Sequence, residues 1–171
     1  MFQILLLVVI LVLLPLAYAG VAFAPWLPTR RRDLDRIWDL ADLKSGEVFY
    51  DLGCGDGRVT LAAGKKLNVK AIGVEAAWPL YLLGKIRERR AGGPNTLIKY
   101  GDLYKEDLAK ADVVYVFGRP KTLTRKLKPK LKKEMKKGSR VISYAFPIAG
   151  LKNTNKTKQR KGELPLFLYK F

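Results

Sequence analysis

Residues 48–63 read VFYDLGCGDGRVTLAA: an apolar run closed by Asp51, glycines at 53, 55 and 57, then a helix-like stretch. Glycine at every second position is costly unless the backbone must turn tightly or meet a ligand closely. A glycine loop between a strand and a helix is where doubly wound folds bind ligands, because main chain and helix N-terminus both offer N–H groups. The spacing is G-x-G-x-G, not the G-x-G-x-x-G of dinucleotide sites. Asp51, two residues before the first glycine, would repel a pyrophosphate and attract an ammonium. The loop therefore favours a zwitterionic amino-acid tail over phosphates.

Outward from this loop, short apolar runs alternate with helical patterns. Strands are predicted at 47–51, 70–74, 96–99, 112–117, 139–145 and 164–171, and helices at 57–67, 77–90 and 121–136. Residues 33–43 show one apolar face of a short helix. Strands separated by helices imply right-handed crossovers and a mostly parallel sheet covered on both faces. The last two strands have no helix between them, so an antiparallel hairpin should close the sheet. Glu75 ends the second strand about 20 residues after the glycine loop, where an acidic side chain accepts from ribose hydroxyls. Asp102 and Leu103 follow the third strand. The chain holds no histidine and one cysteine, Cys54. No imidazole base is available, no metal site is expected, and no catalytic base is assigned.

The N-terminal segment has a different character. Met1 to Thr29 carry no charged side chain, and Arg30, Arg31 and Arg32 come at once after them. The apolar stretch exceeds the roughly 20 residues needed to cross a bilayer. The basic triplet predicts a cytoplasmic side for the rest of the chain. Two other readings stand beside an uncleaved anchor. One is a signal peptide cleaved near Ala17-Tyr18-Ala19, although no Lys or Arg precedes the apolar run; the other is a buried helix. A lone cysteine cannot form an internal disulfide, which suits a cytoplasmic domain.

Lys and Arg outnumber Asp and Glu by 33 to 15, giving a net charge of +18. The surplus lies in residues 119–171, while residues 30–118 are nearly balanced. In residues 123–140, Leu123, Leu127, Leu131 and Met135 recur four apart, a core-facing stripe with cations elsewhere. The cationic face is either solvated or docked on anionic headgroups beside the anchor. Residues 151–163 read as a solvated basic loop.

The glycine loop, Glu75 and Asp102 together resemble the class I S-adenosylmethionine-dependent methyltransferases. The resemblance implies a seven-stranded Rossmann-like α/β sheet with a C-terminal antiparallel hairpin. It also implies that Asp51, Gly53 and Gly55 cradle the methionine portion, that Glu75 binds the ribose, and that Asp102 with Leu103 frames the adenine. Cys54 and Gly57 of the same loop, and Pro28 and Thr29 upstream, count with the cofactor site. Pro25-Trp26-Leu27-Pro28-Thr29, Leu127-Lys128-Pro129-Lys130-Leu131 and Gly138-Ser139-Arg140-Val141-Ile142-Ser143 narrow the likeness further. They are similar to a protein-lysine methyltransferase group of archaeal broad-specificity enzymes and membrane-tethered mitochondrial enzymes acting on ATP synthase c-subunit and adenine nucleotide translocase. The sequence departs from that group at Ala76-Ala77, where a polar residue commonly helps hold the ribose.

The expectation is thus a transmembrane anchor over 1–24, a connector and first helix over 25–46, and a methyltransferase domain over 47–171. The domain faces the cytoplasm, or whichever compartment holds S-adenosylmethionine. It acts on a lysine of a membrane-associated protein, with Phe117, Tyr144 and Phe146 as candidate walls of the acceptor channel. An RNA acceptor is the runner-up, motivated by the basic C-terminal third. Against it, Val116-Phe117-Gly118-Arg119-Pro120 replaces the Asn/Asp-Pro-Pro-aromatic tetrad of amino-directed nucleobase enzymes, and an anchor disfavours nucleic acid. Lipid or small-molecule acceptors, or an inactive cofactor-binding module, complete the alternatives.

Overall fold

A computed structural model of the chain describes residues 1–152, 155–157 and 162–171. The predicted basic loop at 151–163 lies outside them only at 153–154 and 158–161, and two of its described residues, Asn155 and Lys156, form a short strand. Helix α1 spans Phe2–Ala22 and α2 spans Leu34–Ala41 after a 3-10 turn at Arg31–Asp33. There follow β1 (Val48–Leu52), α3 (Arg58–Leu67), β2 (Lys70–Glu75), α4 (Trp78–Ala91), β3 (Thr96–Tyr100) and β4 (Val113–Val116). The chain continues through α5 (Pro120–Thr122), α6 (Lys128–Glu134), β5 (Arg140–Tyr144), β6 (Asn155–Lys156) and β7 (Leu166–Lys170).

The strands form one seven-stranded sheet in the order β3-β2-β1-β4-β5-β7-β6. β1 to β5 run parallel, and β7 pairs antiparallel with β5 and β6. The two-residue β6 is the strand that sequence pattern did not find. After β3 the chain returns to lay β4 on the other side of β1. The strand order therefore reverses between β1 and β4, opening a crevice beyond their carboxyl ends.

All four residues of β4 are buried, as expected for a central strand covered on both faces. Alternate side chains divide between two cores. Phe49, Val113, Tyr115 and Ile142 pack with Ile37 and Trp38 of α2. Tyr50, Val114, Val116 and Val141 pack against Leu123, Leu127 and Leu131.

The predicted helix at 121–136 is interrupted. Leu123–Leu127 form a wider turn, with Lys128 N–H donating to Leu123 O, an i→i+5 bond. Pro129 supplies the cause: it has no N–H to give four residues back, and its ring crowds the carbonyl of Arg125. The wider turn relieves that clash and keeps Leu123, Leu127 and Leu131 fully buried.

α1 contains no charged residue, and its side chains are largely exposed, Ile4 by 68% and Leu14 by 63%. Among the described residues, no helix is long and apolar enough to cross a membrane. α1 touches the domain through Trp78, whose Nε1–H donates to Leu11 O at 2.9 Å. The basic triplet beyond α1 turns back on the domain: Arg30 and Arg32 both donate to Gly162 O, at 2.6 and 2.8 Å.

Candidate active site

The glycine loop leaves β1 at the crevice. Gly53, Gly55 and Gly57 all adopt positive φ, of 78°, 56° and 76°, conformations that side chains resist. Val74 O accepts from the N–H groups of Gly53 (2.9 Å) and Cys54 (3.1 Å), tying the loop to β2. Gly57 then caps α3. Beside the loop lies a cavity of about 230 Å³, bordered by Asp51, Gly53, Cys54, Gly55, Glu75, Asp102 and Leu103. Gly57 borders the helix instead.

Asp51 is 2% exposed. Its Oδ2 accepts from Thr60 Oγ1–H at 2.7 Å and Thr60 N–H at 3.2 Å. Burial pushes its carboxyl up to about 7, with the nearby Glu75 and Asp56 charges adding to the rise and the Thr60 bonds opposing it. A buried carboxylate that gains from a cation suits an ammonium. Glu75 is also raised by burial, against the backbone N–H groups it accepts from. Its Oε2 takes Gly55 N–H and its Oε1 takes Ala77 N–H, both at 2.8 Å. Glu75 therefore shapes the glycine loop as well as bordering the cavity. Burial drives the Cys54 thiol well upward, which makes it packing and not a nucleophile.

Asp56, the loop's second carboxylate, is bound by Arg58 and Arg87. Burial works to raise it, but these two guanidinium groups outweigh burial and hold it low. Arg58 also donates through Nη1 to Thr29 O at 3.3 Å, and Thr29 Oγ1 bonds Tyr115 OH at 2.7 Å. The connector is thereby fastened over the cavity, and Pro28 and Thr29 both border it. Asp102 Oδ1 accepts Tyr104 N–H at 2.9 Å, closing a turn after β3.

The three candidate channel residues separate. Phe117 borders the cavity. Phe146 stacks on Phe117 with ring centroids 6.5 Å apart and does not itself border the cavity. Tyr144 is fully buried; its hydroxyl donates to Asp33 Oδ2 at 2.6 Å, and Asp33 also pairs with Arg36. Its role is to join β5 to the start of α2. Tyr144→Phe is expected to cost about 1.5–3 kcal/mol, because the hydrogen bond it removes is to a charged group. Thermal melting reads that loss.

Residues that sequence reasoning did not place here also border the cavity: Phe23, Trp26, Tyr104, Tyr115 and Lys126, with Leu16 and Tyr18 of α1. Lys126 Nζ lies 5.6 Å from the Tyr104 ring centroid, on the wide turn that Pro129 imposes. The Pro25–Thr29 motif signalled that the connector belongs at the site. Nothing in the pattern distinguished Phe23 from the apolar run before it.

S-adenosylmethionine fits these residues: a buried carboxylate with Oδ2 alone engaged, a second acid at the end of β2, and a turn after β3. Comparison with known proteins agrees. Residues 51–155 match the ANTKMT methyltransferase domain family. A protein-lysine N-methyltransferase of Saccharolobus islandicus (strain REY15A) is 34% identical over 152 residues, 87% of this chain and 93% of that protein. The lysine N-methyltransferase of the ATP synthase c-subunit from Mus musculus is 32% identical over 125 residues, 72% of this chain; the match takes in 49% of that longer protein. An RNA methyltransferase from Salinibacter ruber, solved with S-adenosyl-L-homocysteine, superposes with a TM-score of 0.79 at 27% identity, covering 84% of this chain and 93% of that one. With a parallel sheet that reverses beside a glycine cradle and a match through most of the residues beyond α1, this chain belongs to the ANTKMT methyltransferase domain family and is an S-adenosylmethionine-dependent class I methyltransferase.

Proposed function

We propose that the methyl acceptor is the side-chain amine of a lysine on a protein held at a membrane surface. The observation that carries the lysine assignment is the archaeal protein-lysine N-methyltransferase, 34% identical and matched over 93% of its length. S-adenosylmethionine supplies a methyl group activated on a sulfonium, and the protein's task is to position the acceptor and admit it uncharged. A lysine has an ordinary pKa near 10.4, and burial against Phe117 and Tyr115 disfavours its charged form. Lys126 at the cavity edge adds repulsion against a second cation.

The membrane part of the reading rests on α1 and the basic surface. α1 is an apolar helix of 21 residues with no charged side chain and a largely exposed surface, and contact with lipid would remove that surface from water. Lys121, Arg125, Lys132, Lys133 and Lys137 stand exposed on the segment after β4, where anionic headgroups would meet them. The full chain is expected to float with phospholipid vesicles and to stay with them in high salt. Release by salt alone would reduce α1 to a peripheral contact and sink the anchor.

RNA is the second reading, favoured by the Salinibacter ruber neighbour and the basic C-terminal third. Radiolabelled methyl transfer into membrane and soluble lysates, with and without RNase, separates the two. Label recovered as methyl-lysine after protein hydrolysis supports the proposal; label lost to RNase replaces it with the RNA reading.

A further inference from the structure

Phe23 reads in the sequence as the tail of the apolar segment, yet the fold treats it differently from that segment. α1 ends at Ala22, and Phe23, 8% exposed, joins the core beneath β4 and the last helix. Its ring lies against the ends of both strands that flank the crevice. A Cβ added to Gly118, after β4, would overlap Phe23 Cζ; one added to Gly53, after β1, would stand 3.2 Å from its Cε1. Tyr104 meets the same ring edge-on, with centroids 6.4 Å apart at 76°. Arg119 holds the main chain on either side, donating Nε–H to Phe23 O at 3.1 Å and Nη2–H to Val21 O.

Gly118 is the informative partner. Gly53 needs glycine for its positive φ, whereas Gly118 has no such conformation. What demands glycine at 118 is the space the Phe23 ring occupies. We propose that Phe23, seated in a socket formed by Gly118 and Gly53, is a positioning residue that walls the cofactor cavity on the side where β1 and β4 part. It acts by narrowing the crevice so that the cofactor is held. Phe23 itself borders the cavity, with Gly53 and Leu103 beside it. The inference rests on reading this cavity as the S-adenosylmethionine site.

Calorimetry with S-adenosylhomocysteine tests it on the full chain in neutral detergent micelles, with melting of each variant recorded without ligand. Phe23→Ala is expected to bind about tenfold more weakly, about 1.4 kcal/mol, and Phe23→Leu to recover most of the loss. Gly118→Ala is expected to weaken binding as well, because its methyl group displaces the ring. In the Phe23→Ala background the same Gly118→Ala change should cost nothing further. In turnover, the KM for S-adenosylmethionine should rise in Phe23→Ala with kcat nearly unchanged. Wild-type affinity in Phe23→Ala, or an equal cost of Gly118→Ala in both backgrounds, overturns the wall. Absence of any binding by the wild type would instead overturn the cofactor reading beneath it, and the wall with it.

Discussion

Asp51→Asn is expected to weaken S-adenosylmethionine binding by about 100-fold at pH 8, the scale of removing one charge from a buried pair. Asn keeps the size of the side chain and can still accept from Thr60 Oγ1–H and N–H. The fold should therefore survive while the ammonium loses its counter-charge. The pH dependence gives a sharper signature. With the folded Asp51 raised to about 7 from an ordinary 3.8, the free protein holds a proton there that the unfolded chain has released. Its contribution to stability is complete below the unfolded value and is lost as pH rises through about 7. The free Asp51→Asn protein should then melt no lower than wild type at pH 8. Ammonium binding calls for the ionised carboxylate, so wild-type affinity should climb from pH 6 to 8 with proton release at the lower pH. Calorimetry in buffers of different ionisation enthalpy measures both. Equal affinity at the two pH values would remove Asp51 from the role of counter-ion.

Glu75→Gln is expected to damage binding and stability together. Each carboxylate oxygen of Glu75 accepts a backbone N–H, from Gly55 and from Ala77. An amide has one acceptor oxygen, so its NH2 group must face one of these donors and leave it unsatisfied. A buried donor without a partner costs about 1–3 kcal/mol, or roughly 2–12 °C in melting temperature at this chain length. Because the Gly55 bond shapes the glycine loop, cofactor binding should fall with it. A Gln variant that melts like wild type would show that the loop holds its form without Glu75, leaving any loss of binding to a direct contact alone.

The two predictions draw on different kinds of information. That Asp51, Gly53, Gly55 and Glu75 border one cavity was readable because their spacing along one βαβ unit carries their geometry. β1 must end where the glycines begin, and β2, its parallel neighbour, must end beside it. The parallel run of the central strands came from the same logic of right-handed crossovers. The interruption at Leu123–Leu127 was within reach too, since Pro129 stands in a run that otherwise reads as helix.

Other features depended on residues far apart in the chain. Tyr144 looked like a channel wall because it ends a strand near Phe146, but its hydroxyl bonds Asp33, 111 positions away. That pairing required α2 to dock on the β5 side of the sheet. Phe23 and Gly118 show the same dependence. An apolar residue next to an apolar helix carries no local mark of its destination, and a glycine between Phe117 and Arg119 reads as an ordinary turn. Period, glycine spacing and charge are local properties, and from them came the sheet, the cofactor loop and its ligand class. Which ring rests on which glycine is set by packing between distant segments, and tertiary structure alone decided that.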